Sequence, residues 1–106
     1  MNEELIDSMV FNVLIEIVNQ YTDADALDFV GEVELGNFIK DELAFGKQGL
    51  EEAIDEVWEE AKENVCYGNA EYWEEEYQMT PLATEMLLNK KAIQKAILKQ
   101  IKEYCL

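Results

Sequence analysis

The sequence predicts a mainly α-helical protein, a small bundle of about five helices. Three observations support this class: apolar residues recur at helical spacing along most of the chain, 49% of the residues are hydrophobic, and helix-start signals such as Thr80–Pro81 punctuate the pattern. A chain of 106 residues fits a single domain, residues 1–106. A domain of this size buries roughly 65% of the surface that its unfolded chain exposes, so the hydrophobic fraction is sufficient for a core.

The first helix is predicted over residues 3–20. Leu5, Met9, Val13 and Ile17 recur at every fourth position, and a second row of apolar residues runs beside them. Because the resulting apolar stripe is wide, we expect this helix to lie at the centre of the bundle.

The next stretch has features of both a strand and a helix. Side chains alternate from Phe29 to Leu35 as in a strand, whereas the residues that follow have a helical period. We therefore predict a bend, short strand or hairpin near residues 28–36, followed by a helix over about residues 35–45 that ends at Gly46.

Three more helices complete the predicted bundle. A continuous apolar stripe indicates one over residues 50–65, and a short helix is predicted over about residues 69–77. The last is predicted over about residues 80–104, with Thr80 as its N-cap and Pro81 at its first helical position.

The charge composition excludes several classes of function. The formal net charge is −16, the chain has no histidine, and all of its basic residues are lysines. Histidine is the commonest general base and metal ligand, and arginine is the residue best suited to bind phosphate. The strongly negative field repels nucleic acid and anionic lipid and attracts basic proteins. We therefore predict that the chain is not an enzyme, needs no cofactor or metal, and contacts neither nucleic acid nor a membrane directly.

The N-terminal sequence and the two cysteines bear on location. The first twenty residues have no basic segment, and acids interrupt their apolar run, which is typical of neither a signal peptide nor a membrane span. Cys66 and Cys105 fit free, buried thiols in a reducing compartment. We expect a cytoplasmic protein, in the host cytoplasm if a phage encodes it.

Basic residues are concentrated near the C-terminus. We interpret them as a solvated face that offsets repulsion; the alternative is that they orient the acidic surface away from this helix. Five of the eight lysines lie on the last predicted helix: Lys90, Lys91, Lys95, Lys99 and Lys102.

The helix over residues 50–65 carries a large excess of acids over one lysine, Lys62. Helical steps of four residues place them in two neighbouring ridges. Seven charges spread over about 18 Å of helix give about 2.6 Å per charge, between the roughly 1.7 Å of duplex DNA and 3.4 Å of one strand. One ridge contains Glu52, Glu56 and Glu60, and the other contains Glu51, Asp55, Glu59 and Glu63.

These acids lower the stability of the helix that carries them. Each pair of like charges four residues apart costs about 0.2–0.5 kcal/mol, so folding does not require them. We predict that they form the binding surface for a basic partner, together with four acids that follow in the sequence: Glu71, Glu74, Glu75 and Glu76.

In its size, acidity and helical pattern, the chain resembles small acidic inhibitors made by phages, the DNA-mimic antirestriction and anti-CRISPR proteins. A local similarity to the ArdA antirestriction family covers Phe29, Gly31 and Phe38, while residues 35–37 stand where that family has serine and acids. The resemblance implies an inhibitor that occupies the DNA- or RNA-binding surface of a host defence enzyme. The partner would then be a basic nucleic-acid-binding protein.

A second interpretation is an acidic helical adaptor or homo-oligomeric interaction module without mimicry. Tyrosine and tryptophan dominate many protein interfaces, and several lie close to the acids. They also suit a homodimer, which would join two acidic tracks into one longer surface. These aromatic residues are Tyr67, Tyr72, Trp73 and Tyr77.

Overall fold

The computed structural model describes residues 3–66 and 90–106, and this part of the chain is mainly helical, as predicted. Within these two ranges there are four α-helices, one short 3-10 helix and no strand. The elements are α1 (Glu3–Tyr21), the 3-10 helix (Ala26–Asp28), α2 (Gly31–Glu42), α3 (Lys47–Cys66) and α4 (Lys90–Cys105). The predicted helix over residues 69–77 and the predicted start at residues 80–81 lie outside the described residues.

Helix α1 is the centre of the bundle, as its wide apolar stripe predicts. It contacts α2, α3 and α4, and its largest interface is with α3. Its buried side chains include Met9, Val13, Leu14 and Ile17, all completely enclosed. Burial of one such aliphatic side chain contributes about 1.5–3 kcal/mol, so this row is a main source of stability.

The prediction of a strand or hairpin near residues 28–36 is wrong. Between residues 28 and 36 only Phe29 and Val30 have extended backbone angles, and α2 begins at Gly31, where φ is +76°. Helical geometry brings Leu35 and Ile39, four residues apart, into the core against α1. The core contacts therefore follow the helical period, whereas the alternating pattern would have buried Val33 together with Leu35; Val33 is 63% exposed.

The end of α2 also differs from the prediction. The helix ends at Glu42, before Gly46, because Ala44 takes a left-handed conformation with φ of 46°. The amide groups of Leu43 and Ala44 both donate to the carbonyl oxygen of Ile39, at 2.9 and 3.3 Å. These two hydrogen bonds to one carbonyl oxygen end the helix with a left-handed C-terminal cap.

Helix α4 approaches α2 closely at Gly36. A Cβ atom placed on Gly36 would lie 2.6 Å from Cβ of Tyr104 and 2.8 Å from its carbonyl oxygen. Only glycine permits this separation, so Gly36 fixes how α4 lies across α2.

The core contains only apolar side chains in the described part of the chain, where no polar or charged residue is buried. Cys105 is a free, buried thiol, and burial raises its pKa to about 12. Each helix within residues 3–66 and 90–106 is too short or too polar to cross a lipid bilayer.

Candidate protein-binding surface on helix α3

Helix α3 lies on α1 with one apolar face. Leu50, Ile54, Val57 and Ala61 recur at spacings of three and four residues and are buried, as the sequence predicts. Trp58 lies at the edge of this face and is only 7% exposed. The anchored face leaves the opposite side of α3 open to solvent.

All seven predicted acids of this stretch lie on α3, outside its apolar face. Six of them are exposed and Glu51 is half-buried. Contacts with neighbouring helices distinguish the two predicted ridges, and we name each by the helix that at least one of its acids contacts: Glu56 and Glu60 contact α1, and Glu51 contacts α4. The α1-side ridge is Glu52, Glu56 and Glu60, and the α4-side ridge is Glu51, Asp55, Glu59 and Glu63.

The carboxylates of the α1-side ridge accept hydrogen bonds from neutral donors. The Tyr21 hydroxyl donates to Glu56, and Gln20 Nε2 donates to Glu60 Oε2 at 2.8 Å. Within α3, Gln48 Nε2 makes a long contact of 3.4 Å with Glu52 Oε1. A neutral donor restrains a carboxylate without supplying an opposite charge, so these contacts do not compensate the charge of the ridge.

Helix α1 adds an eighth acid to this surface, Glu16. Its carboxylate accepts from Asn64 Nδ2 of α3 at 3.2 Å and from Gln20 Nε2 at 3.2 Å. It also lies against Glu60, and the hydrogen bond and charge of Glu16 raise the pKa of Glu60 above its ordinary value. A hydrogen bond between two carboxyl groups requires a proton on one of them, and repulsion between the two charges also favours the protonated form.

The pKa of Tyr21 is raised to about 12. The main cause is its hydrogen bond to Glu56, which requires the hydroxyl proton; partial desolvation and the charges of Glu56 and Glu52 add to it. Tyr21 is also packed against Phe45, with the two ring centroids 5.7 Å apart at 86°. The hydroxyl is therefore held at the ridge as a donor.

The α4-side ridge has lysine partners. Lys102 Nζ of α4 lies 2.8 Å from Glu51 Oε1, and Lys62 Nζ lies 2.8 Å from Glu59 Oε2. The hydrogen bond and charge of Lys102 lower the pKa of Glu51. Part of the negative charge on this side is consequently balanced within the chain.

Sequence reasoning missed Glu16 and the division between the two ridges. Glu16 lies on the half-buried edge of α1, and only the packing of α1 on α3 brings it next to Glu60. A partial signal is present, since Glu16 and Gln20 are one helical step apart on a polar edge. Four predicted site residues, Glu71, Glu74, Glu75 and Glu76, lie outside the described residues, as do the four predicted aromatic anchors.

The residues of the local ArdA similarity lie away from α3 in the sequence and have structural roles. The rings of Phe29 and Phe38 pack with centroids 4.7 Å apart at 45°. Gly31 provides the positive φ with which α2 begins. This cluster supports the N-terminal end of α2.

No protein-family model, curated protein or solved structure matches this chain. Among the described side chains, no group of three or more histidine, cysteine, aspartate or glutamate residues is arranged to hold a metal ion. The acidic surface of α3 is the feature from which a function can be argued.

Proposed function

We propose that this chain is an acidic nucleic-acid mimic, which inhibits a basic nucleic-acid-binding protein by occupying its DNA- or RNA-binding surface. The target class is a host defence enzyme of the restriction or CRISPR type, as the resemblance to phage inhibitors implies. The contact surface is the α1-side ridge with Glu16, flanked by the acids of the α4-side ridge. Glu71, Glu74, Glu75 and Glu76 follow α3 in the sequence and extend the proposed surface.

The observation that carries the proposal is the hydrogen bonding of the α1-side ridge. Glu56 and Glu60 are restrained by Tyr21 and Gln20, and both donors are neutral. Restrained charges lose less conformational entropy when a partner binds than free side chains do. Glu56 and Glu60 therefore present acidic groups in fixed positions to a cationic groove.

The spacing of the charges supports the same partner class. Four-residue steps on a helix separate successive acids of one ridge by about 6 Å, and the two ridges together give about 2.6 Å per charge. That density falls between those of single- and double-stranded nucleic acid. A groove that neutralises phosphates would meet a similar charge density here.

A competition assay tests the proposal directly. DNA-targeting nucleases of the restriction and CRISPR types are mixed with labelled DNA, with and without this protein, at low and raised salt. We expect at least one enzyme to lose DNA binding at low salt and to regain it as salt screens the contact. Full DNA binding by every enzyme at low salt would exclude mimicry for that panel.

Neutral variants locate the contact. The triple change Glu52→Gln, Glu56→Gln and Glu60→Gln keeps side-chain shape and an oxygen acceptor while removing three charges. If each exposed contact contributes about 0.5 kcal/mol, the affinity should fall about tenfold.

The matched control removes three exposed charges elsewhere, on α2 and α4. The changes are Asp41→Asn, Glu42→Gln and Glu103→Gln, which give the same net charge as the α1-side variant. An equal loss of inhibition in both triple variants would show that only total charge matters and would contradict a defined contact surface.

The second candidate function is a helical adaptor, and exposed apolar side chains favour it. Leu27, Val30 and Val33 are 86%, 80% and 63% exposed. Exposed apolar side chains that cluster mark interaction sites. The double variant Leu27→Ser, Val30→Ser should abolish partner binding by an adaptor, while neutralising the α1-side ridge should leave that binding intact. A nucleic-acid mimic should show the opposite pattern.

A further inference from the structure

A groove of about 270 Å³ lies between α3 and α4. Ile54 and Trp58 of α3 and Leu98 of α4 supply its apolar lining. The two helices run antiparallel here, since Glu51 meets Lys102 near one end and Trp58 shares the groove with Gln94 towards the other.

Trp58 has an unsatisfied hydrogen-bond donor. Its side chain is largely buried, and no acceptor among the described residues lies within reach of its indole Nε1. Buried N–H groups almost always have a partner in folded proteins. The indole Nε1 is itself enclosed, so its missing partner is a local cost to the fold and offers no contact to an occupant of the groove.

The two walls of the groove have opposite charge. Glu51 and Asp55 line it on the α3 side, and Lys95 lines it on the α4 side. Lys102 continues the basic wall and reaches across to Glu51. An occupant that fits must carry positive groups towards α3 and negative groups towards α4.

We propose that the occupant is a second copy of this chain, bound through a two-fold axis that runs along the groove. Such an axis exchanges the two walls, so that the α3 wall of each copy faces the α4 wall of the other. Opposite charges then meet at two symmetry-related places, where Asp55 of each copy lies near Lys95 of the other. Positions along the groove are preserved, which brings Gln94 of the other copy level with the ring of Trp58.

The dimer leaves the α1-side ridge outside the interface. Glu52, Glu56 and Glu60 border α1, on the side of α3 away from the groove. Each dimer would therefore present two copies of this ridge. The inference does not rest on the proposed function, because self-association is measured on the purified chain alone.

Sedimentation velocity with two single charge reversals tests the arrangement. Wild type should approach twice the 12.3 kDa chain mass as its concentration rises, at about 0.15 M salt, where screening limits repulsion beyond about 8 Å. Asp55→Lys alone places two lysine–lysine contacts in a homodimer, and Lys95→Glu alone places two acid–acid contacts. Each variant should remain monomeric, and an equimolar mixture should dimerise, because both contacts become opposite in charge.

The matched controls are Asp41→Lys and Lys40→Glu, which make the same charge changes at exposed positions of α2. Both should dimerise like wild type. A wild type that stays monomeric up to millimolar concentration would overturn the proposal. So would single variants that dimerise normally, or a mixture that fails to dimerise while circular dichroism shows folded chains.

The indole resonance of Trp58 gives a second measurement that needs no charge variant. It is identified among the two tryptophan indole signals by its loss in Trp58→Phe. Dilution that dissociates the dimer should shift it, because the other copy no longer covers the groove that Trp58 lines. A resonance that stays constant through dissociation would show that the dimer forms on another face.

Discussion

The two ridges of α3 have similar sequences and different surroundings. On the α1 side, Glu56 and Glu60 are hydrogen-bonded by a tyrosine and a glutamine. On the α4 side, Glu51 and Glu59 are paired with lysines at 2.8 Å. Neutral donors preserve charge while restraining the side chain, whereas lysines compensate charge. The Glu51–Lys102 pair joins α3 to α4, whereas the proposed function assigns binding to the acids on the α1 side.

The pKa directions of two glutamates express the same contrast. Contact with Glu16 raises the pKa of Glu60, and contact with Lys102 lowers that of Glu51. Charge at Glu60 is therefore unfavourable to the fold, while charge at Glu51 is favourable. A residue that the fold does not favour in its charged form is a better candidate for selection by a partner.

The largest expected effect comes from Gly36→Ala, which disturbs the packing that holds α4. The added Cβ would lie 2.8 Å from the carbonyl oxygen and 3.1 Å from the carbonyl carbon of Tyr104, which are backbone atoms that cannot rotate away. Helices α2 and α4 must separate, at a cost of about 1–3 kcal/mol or more. Urea unfolding should show this as a lower midpoint.

Gly49→Ala is the matched control for that variant. Gly49 lies within α3, and a Cβ there would meet only the Phe45 side chain, at 3.4 Å. Alanine favours helix over glycine, so this variant should gain up to about 1 kcal/mol. Equal stability of the two variants would contradict the close approach of α4 at Gly36.

The helical class and the buried faces were predictable from the sequence because they depend on local spacing. The apolar residues of α1 and α3 lie in the core, as their period of 3.6 residues predicts; they run from Met9 to Ile17 and from Leu50 to Ala61. The boundaries of α2 were not predictable in this way. Its start depends on core contacts of Leu35 and its end on the left-handed backbone of Ala44.

The sequence predicted the acids of the candidate site on α3, but it did not predict that the α1-side and α4-side ridges have different partners. Their place on α3 follows from the helical period alone. Tyr21 lies 35 residues from Glu56 in the chain, Gln20 lies 40 residues from Glu60, and Lys102 lies 51 residues from Glu51. Only tertiary packing brings such distant residues together, so the sequence pattern could not separate the ridges.

Tyr21→Phe tests the hydrogen bond on the α1 side and should have an intermediate effect. Loss of the bond to Glu56 should cost on the order of 1 kcal/mol at neutral pH, reduced from the usual value for a charged acceptor because solvent screens the ridge. Because the pKa of Tyr21 is raised from 10.0 to about 12, the contribution is complete below pH 10 and is lost as the pH rises towards 12.

The measurement is the difference in urea unfolding between wild type and Tyr21→Phe, taken at neutral and at alkaline pH. The comparison of the two chains cancels the titration of lysines, which occurs in both. Ultraviolet titration should also show that the variant lacks one tyrosine with a pKa near 12. A difference in stability that grows above pH 10 would be opposite to the expected sign.

The smallest effects, and the sharpest contrast, come from single neutral changes in the two ridges. The lowered pKa of Glu51 means that its charge contributes stability above the ordinary pKa of 4.5, which is lost as the pH falls through the folded value. Glu51→Gln should therefore lower stability at neutral pH and have little effect in acid. The raised pKa of Glu60 means that its charge costs stability above the folded value, and the cost is absent below 4.5.

Glu60→Gln should consequently raise stability at neutral pH and have little effect in acid, the reverse sign of Glu51→Gln. Urea midpoints of both variants and wild type, measured from pH 3 to pH 7, check the two signs in one series. Asp41→Asn, at an exposed position on α2, controls for the loss of one charge from a highly anionic chain. Relief of general repulsion would stabilise all three variants alike, so a destabilised Glu51→Gln beside a stabilised Glu60→Gln can arise only from the different neighbours of the two ridges.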